Sequence, residues 1–249
     1  MIVVTTLGKL NNALKGRKPT FDLSEVKCVV IDEADIFFKE TRNLQALTEV
    51  ITKHFSKLSQ KLQYILFSAT YSDEIKKDIS TFIAHAQQIS IKKEHLQLEH
   101  IQQFEYRCEQ GKKPEFMKEI FGVCEMTQTI IFVNTKKFAE TLHNMMRKEN
   151  VKSTIIFGDM DWAERDEMIA KFKSGEVSVI ITTNMLARGI DVPEVQIVLN
   201  FDVPTLGPRD ARVGDPEFYL HRIGRTGRFG TQGLAVTIYD REEEKAFLD

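Results

Sequence analysis

Short apolar runs rich in β-branched residues punctuate the chain at residues 2–5, 26–31, 64–67, 129–133, 153–157, 177–182, 195–200 and 234–239. Between them lie longer stretches in which apolar residues recur at helical spacing. Phe138, Leu142, Met145 and Met146 share one face of 136–149, and Met168, Ile169 and Phe172 share one face of 163–173. Continuous hydrophobic strands alternating with amphipathic helices predict an α/β fold of parallel sheets covered on both faces. No repeat of solenoid period and no low-complexity tract interrupts the pattern. The polar stretch KKEHLQLEH at 92–100 lies between a strand-like QISIK and a strand-like FEYRC. It predicts a linker between an incomplete first α/β unit, residues 1–91, and a nearly complete second one, residues 101–249. Ligands of such folds bind outside the carboxyl ends of the strands.

Composition narrows the picture. The 42% apolar content supports a real core, and a formal net charge of −2 means that any nucleic-acid site is a local patch rather than a global basic field. Cys28, Cys108 and Cys124 lack metal-ligand spacing and predict buried free thiols in a reducing compartment. No apolar run reaches the roughly 18 residues of a membrane span, and no signal peptide is visible, so a cytoplasmic or nuclear protein is expected. Trp162, at the start of a predicted helix, is expected to pack inward.

Four strings carry candidate chemistry. In VVIDEADIFF a strand runs into Asp32-Glu33-Ala34-Asp35. Carboxylates at a strand end can hold Mg²⁺ and orient an attacking water; they also suit an acidic helix start. In ILFSAT, Ser68-Ala69-Thr70 ends another strand, where hydroxyls either bond neighbouring carboxylates or cap the next helix. Thr182-Thr183 end a third strand, with Arg188-Gly189-Ile190-Asp191 following. Hydroxyl, guanidinium and backbone groups of this kind bind phosphate oxygens without reading bases, though a capped helix start would look similar. His221-Arg222-Ile223-Gly224-Arg225-Thr226-Gly227-Arg228 is the most specific string. Its arginines at spacing three place guanidinium forks on a glycine-softened chain, suited to charge on a transferring phosphoryl group. A plain solvated helix fits poorly, because each glycine would cost roughly 1 kcal/mol.

Taken in order, these strings resemble the DEAD-box family of RNA-dependent ATPases, and the resemblance covers nearly the whole chain. DEAD stands at 32–35, SAT at 68–70, and Asn134-Thr135 end a strand that opens the second domain. The resemblance implies two RecA-like domains, with ATP and Mg²⁺ as cofactors. It implies that Asp32 and Glu33 serve Mg²⁺, through water, and activate the attacking water. Asp35, Ser68, Thr70, Gly189, Asp191 and His221 would belong to the nucleotide side, Asp191 at the ribose, and Ser68 and Thr70 would link DEAD to RNA engagement. Arg225 and Arg228 would be arginine fingers. The RNA track would comprise Thr6, Gly8, Asn134, Thr135, Gly158, Asp159, Thr182, Thr183 and Arg188. The family's Thr-Pro-Gly-Arg segment reads Thr6-Leu7-Gly8-Lys9 here, which removes the fixed turn of proline. Arg165 resembles a family arginine that braces the second domain. The partners implied are single-stranded RNA or a short duplex, with the chain a monomer.

The loop LGPRDARVGDPEF before YLHRIGRTGRFG is similar to that of the DEAD-box helicases of mRNA export. This implies an export activator or nuclear-pore protein as partner and a place at the nuclear pore. No Gly-x-x-x-x-Gly-Lys-[Ser/Thr] phosphate loop occurs in the 249 residues. The expectation is therefore a chain shortened at its N-terminus, and slightly at its C-terminus, that does not hydrolyse ATP alone. A non-enzymatic short form that binds RNA or partner proteins remains the alternative.

Overall fold

The computed structural model describes residues 2–15, 23–39, 41–58, 61–68, 73–83, 86–90, 100–123, 127–183, 195–206, 213–227 and 230–248. The chain divides into two compact units, Met1–Ser90 and Ile91–Asp249.

In the first unit, strand β1 (Cys28–Ile31) pairs in parallel with β2 (Gln63–Leu66), from Cys28 opposite Gln63 to Ile31 opposite Leu66. Helices α1 (Leu7–Leu14), α2 (Ala34–Lys39), α3 (Thr41–Lys53) and α4 (Asp73–Phe82) accompany them. Ile31, Ala34, Phe38, Leu47, Ile75 and Ile79 form one core cluster, and Leu14, Val50 and Phe55 a second. The sheet is not covered throughout, since Val30 and Phe67 are both 57% exposed. Two predicted strands do not form among the described residues. Residues 2–5 pair with no strand and lead into α1; β1 and β2 bond only to each other among the described residues. Residues 88–90, the part of the strand-like QISIK that is described, are likewise not in a strand. Cys28, expected inside, is exposed, whereas Cys108 is buried; Cys124 lies outside the described residues.

The second unit is a six-stranded parallel sheet. In chain order it comprises β3 (Ile101–Arg107), α5 (Lys113–Val123), β4 (Thr129–Phe132), α6 (Lys136–Lys148), β5 (Ser153–Ile156), α7 (Trp162–Lys173), β6 (Val179–Thr182), β7 (Ile197–Asn200), a short antiparallel pair β8 (Thr205–Leu206) and β9 (Val213–Gly214), α8 (Pro216–Ile223), β10 (Gly233–Tyr239) and α9 (Glu242–Leu248). The spatial order is β3-β10-β7-β4-β6-β5. β4 is buried at every position because both faces of the sheet are covered. Ile131 and Val133 join Met117, Phe121, Leu142 and Met146 on one side, while Ile130 and Phe132 join Phe172, Ile180 and Val198 on the other. This is the fully buried strand expected inside a parallel sheet.

Two features pin the ends of the sheet. Lys113, the first residue of α5, is buried, and its Nζ donates to the carbonyls of Phe201 and Ile238, each at 3.2 Å, beyond and within β7 and β10. The Asp240 and Glu244 carboxylates lie 3.7 Å from the same amine, and burial holds the Glu244 carboxyl above its usual range. The outer strand β3 is exposed from Gln102 to Arg107. Its Tyr106 stacks on Phe116 of α5, with ring centroids 4.0 Å apart.

Candidate functional site

In the first unit the DEAD segment begins where β1 ends. The Ala34 amide donates to the Phe67 carbonyl at 2.9 Å, so the first turn of α2 is tied to the end of β2. Ser68 Oγ then donates to Asp35 Oδ1 at 2.6 Å. Two predicted site residues, 33 positions apart in the chain, are thereby joined. Asp35 is buried, whereas Asp32 is exposed and accepts from the Glu33 amide at 2.9 Å. Glu33 has φ of +50°, a left-handed backbone that a β-carbon disfavours. Such strain is often found where a side chain must be aimed. Asp32 and Glu33 offer only oxygen donors, the kind a hard cation such as Mg²⁺ takes. Thr6 caps α1 by accepting from the Lys9 amide, and Gly8 lies in the first turn. Thr70 lies outside the described residues.

In the second unit the predicted residues fall along one edge. β4, β6 and β5 are neighbours and parallel, so their carboxyl ends stand side by side, spanning about 10 Å. Asn134 and Thr135 follow β4, Thr182 ends β6 and Thr183 follows it, and Gly158 and Asp159 follow β5. Their side chains are used unequally. Thr135 caps α6, its hydroxyl accepting from the Phe138 amide at 3.2 Å. Thr182 turns inward: it is fully buried and donates to the Ile156 carbonyl at 2.8 Å, leaving Thr183 half-exposed. Asp159 is exposed and ion-paired with Lys136, whose hydrogen bond holds its carboxyl below the usual range. Arg165 Nη2 donates to the Gly158 carbonyl at 2.8 Å and to that of Met160 at 3.4 Å, bracing the turn between β5 and α7.

The arginine string is anchored from within. Asp215 is the N-cap of α8, accepting from the Glu217 and Phe218 amides at 3.0 and 3.1 Å, and Pro216 occupies the first turn, where its missing N–H costs nothing. The Asp-Pro of the long loop is thus a helix start. His221 lies one turn beyond Glu217, 4.0 Å from its carboxylate. Arg225 is buried, and the Thr226 hydroxyl sits 2.8 Å from both the Val195 and Gln196 carbonyls. Gly227 has φ of +66°, and a β-carbon there would stand 2.6 Å from Ile101 Cγ1. Arg188, Gly189, Asp191 and Arg228 lie outside the described residues.

The residue that sequence reasoning missed is Arg222. It is fully buried, with its guanidinium 5.1 Å from the Phe132 ring centroid. It donates to the Asp202 carbonyl at 2.6 Å, to Asn134 Oδ1 at 3.1 Å and to Asn200 Oδ1 at 3.4 Å. Burial pushes its pKa down to about 9. Asn134 in turn donates its side-chain amide to the Val203 carbonyl at 2.9 Å, and its backbone N–H to the Asp202 carboxylate at 2.8 Å. The strand end after β4 is therefore held by the helix that leads into Arg225.

Family models match both units. The DEAD/DEAH box helicase model covers residues 1–78, and the helicase conserved C-terminal domain model covers residues 112–230. The chain belongs to the DEAD-box helicase family. The ATP-dependent RNA helicase DBP5 of Debaryomyces hansenii is 36% identical over 249 residues, which is 100% of this chain and 48% of that relative. The chain spans about half the length of the curated relatives it matches. Among solved structures, S. cerevisiae Dbp5 bound to RNA and ADP BeF3 is similar with a TM-score of 0.81 and 33% identity, over 98% of this chain and 60% of that one. S. cerevisiae Dbp5 L327V bound to Nup159, Gle1 H337R, IP6 and ADP is similar with a TM-score of 0.62 and 31% identity, over the same shares of the two chains. The two RecA-like parallel-sheet domains implied by the motifs are those of this family.

Proposed function

We propose that this chain carries the hydrolytic carboxylates, the arginine fingers and the RNA-facing edge of an ATP-dependent DEAD-box RNA helicase that remodels short RNA duplexes or RNA–protein complexes in mRNA export. The observation that carries this reading is the Ser68–Asp35 hydrogen bond. It ties the carboxylate segment to the next strand end, so that movement at one is felt at the other.

In this reading Mg²⁺, when bound with ATP, neutralises charge on the transferring phosphoryl group, with Asp32 and Glu33 holding it through water. Glu33 orients the attacking water. Arg225 and Arg228 supply guanidinium forks to the developing charge, while Gly189, Asp191 and His221 belong to the nucleotide side, with Asp191 accepting from the ribose. Thr6, Gly8, Asn134, Thr135, Gly158, Asp159, Thr182, Thr183 and Arg188 make up the RNA track; Thr182 and Asn134, whose side chains bond to the protein, shape it from beneath. Contacts to phosphate and sugar make the binding tolerant of sequence. The complexes of the yeast relative with Gle1 and with Nup159 support an mRNA-export activator or nuclear-pore protein as partner, and a cytoplasmic or nuclear location, at the nuclear pore.

The test is RNA-stimulated ATP hydrolysis with Mg²⁺. The 249-residue chain, which contains no phosphate loop, is expected to be silent. Fusing to its N-terminus a family phosphate-loop segment, drawn from the part of the Debaryomyces relative that this chain does not match, is expected to give RNA-stimulated turnover. Arg225→Ala in that fusion should then cost roughly 10³-fold or more. A folded fusion that binds ATP and RNA without turnover, or an Arg225→Ala variant with undiminished turnover, would sink the reading.

A further inference from the structure

The chain has a single tryptophan, and the structure leaves it outside the core: Trp162 is 72% exposed. An indole this open is unusual, since tryptophans are highly buried on average. Its helix does not need it for packing, because α7 meets the sheet through Met168, Ile169 and Phe172. Nor is it on a loose segment. Asp161 caps α7, the Met160 amide donates to the Phe157 carbonyl at 3.3 Å, and Arg165 closes the turn onto Gly158 and Met160. Trp162 therefore sits on a rigid mount, one tight turn beyond Gly158 and Asp159 at the carboxyl end of β5.

The charge around it limits what it can bind. Asp161 and Glu164 are exposed, and Asp159 is already paired with Lys136. The exposed carboxylates of Asp161 and Glu164 offset the pull of the helix N-terminus on a phosphate beside the indole, whereas a nucleobase carries no net charge and presents a π-face. We propose that Trp162 stacks on an unpaired base of RNA whose backbone lies along the ends of β4, β6 and β5. This rests on the RNA reading of that edge and adds to it a base contact that backbone recognition does not contain. Stacking of this kind tolerates any sequence and favours the larger bases.

Because Trp162 is the chain's only tryptophan, its emission reports the site without ambiguity. The 249-residue chain would be titrated at low salt with labelled single-stranded oligoadenylate, following indole fluorescence and label anisotropy together. Expected are quenching that saturates with the anisotropy, and binding without quenching for an abasic strand of equal length. Trp162→Ala should weaken binding of the base-bearing strand roughly ten-fold with an unchanged salt slope, since no phosphate contact is lost. Trp162→Phe should recover most of the affinity. If Trp162→Ala binds like the unaltered chain and the indole is unquenched at saturation, stacking is overturned while the RNA reading stands, and the indole faces a protein partner. If the unaltered chain binds no RNA at low salt, the RNA reading falls and the stack with it.

Discussion

Arg222 Nη2 donates to Asn134 Oδ1 across 3.1 Å, joining the helix of the arginine string to the end of a central strand 88 residues earlier. Replacing Arg222 removes a buried charge but strands the acceptors on Asn134, Asn200 and Asp202. Arg222→Met, close in volume, should destabilise the second unit by about 3 kcal/mol, the scale of broken buried polar networks. Arg222→Lys should recover only part, because an ammonium does not reproduce the planar fork. Urea unfolding would measure both; a loss within experimental error for Arg222→Met would show the network to be incidental.

The left-handed backbone at Glu33 sets stability against chemistry. At φ +50° a residue with a β-carbon costs about 1–2 kcal/mol relative to a relaxed one. Glycine has no such penalty but loses more freedom on folding. Glu33→Gly should therefore raise the stability of the first unit, by about 1 kcal/mol at most, while removing the carboxylate proposed to orient water. Lower stability in the variant would mean that the Glu33 side chain, not its backbone, dominates.

His143 gives the second unit an acid limit. Its Nδ1 lies 2.8 Å from Ser153 Oγ, and burial, aided by Arg147, holds its pKa below the ordinary 6.5. A base with a lowered folded-state pKa binds its proton more readily when unfolded. Its neutral form thus contributes fully above 6.5, and that contribution declines as pH falls through the window just beneath. His143→Gln, which keeps a polar partner for Ser153, should flatten the loss of stability across this window. An identical pH profile for both proteins would remove His143 as the cause.

The sheet of the second unit was legible because its strands are short, continuous apolar runs. β4, β6, β7 and β10 all fall within, or one residue beyond, the segments so marked. Residues 2–5 have the same composition and are not a strand, because strand formation needs a neighbour as well as a propensity. Arg222 was not legible as a network centre: in the string it looks like Arg225, and only the fold brings Asn134 and Asp202 against it. Trp162 was misplaced for a similar reason. A bulky aromatic at a helix start suggests packing, yet the buried face of α7 runs through Met168, Ile169 and Phe172.

The outer strand β3 leaves its backbone within reach of any extended peptide, a standing invitation to aggregation. Here that invitation is withdrawn by charge. Glu105 holds Lys245, and Arg107 holds Glu242, so ion pairs reaching back to α9 flank the strand on one face. An intruding strand would meet these four charged side chains beside its first ladder bonds. The closing helix α9 thus acts as a guard rail for the sheet, and changes that neutralise Lys245 and Glu242 together should reveal themselves first as poor solubility rather than as loss of fold.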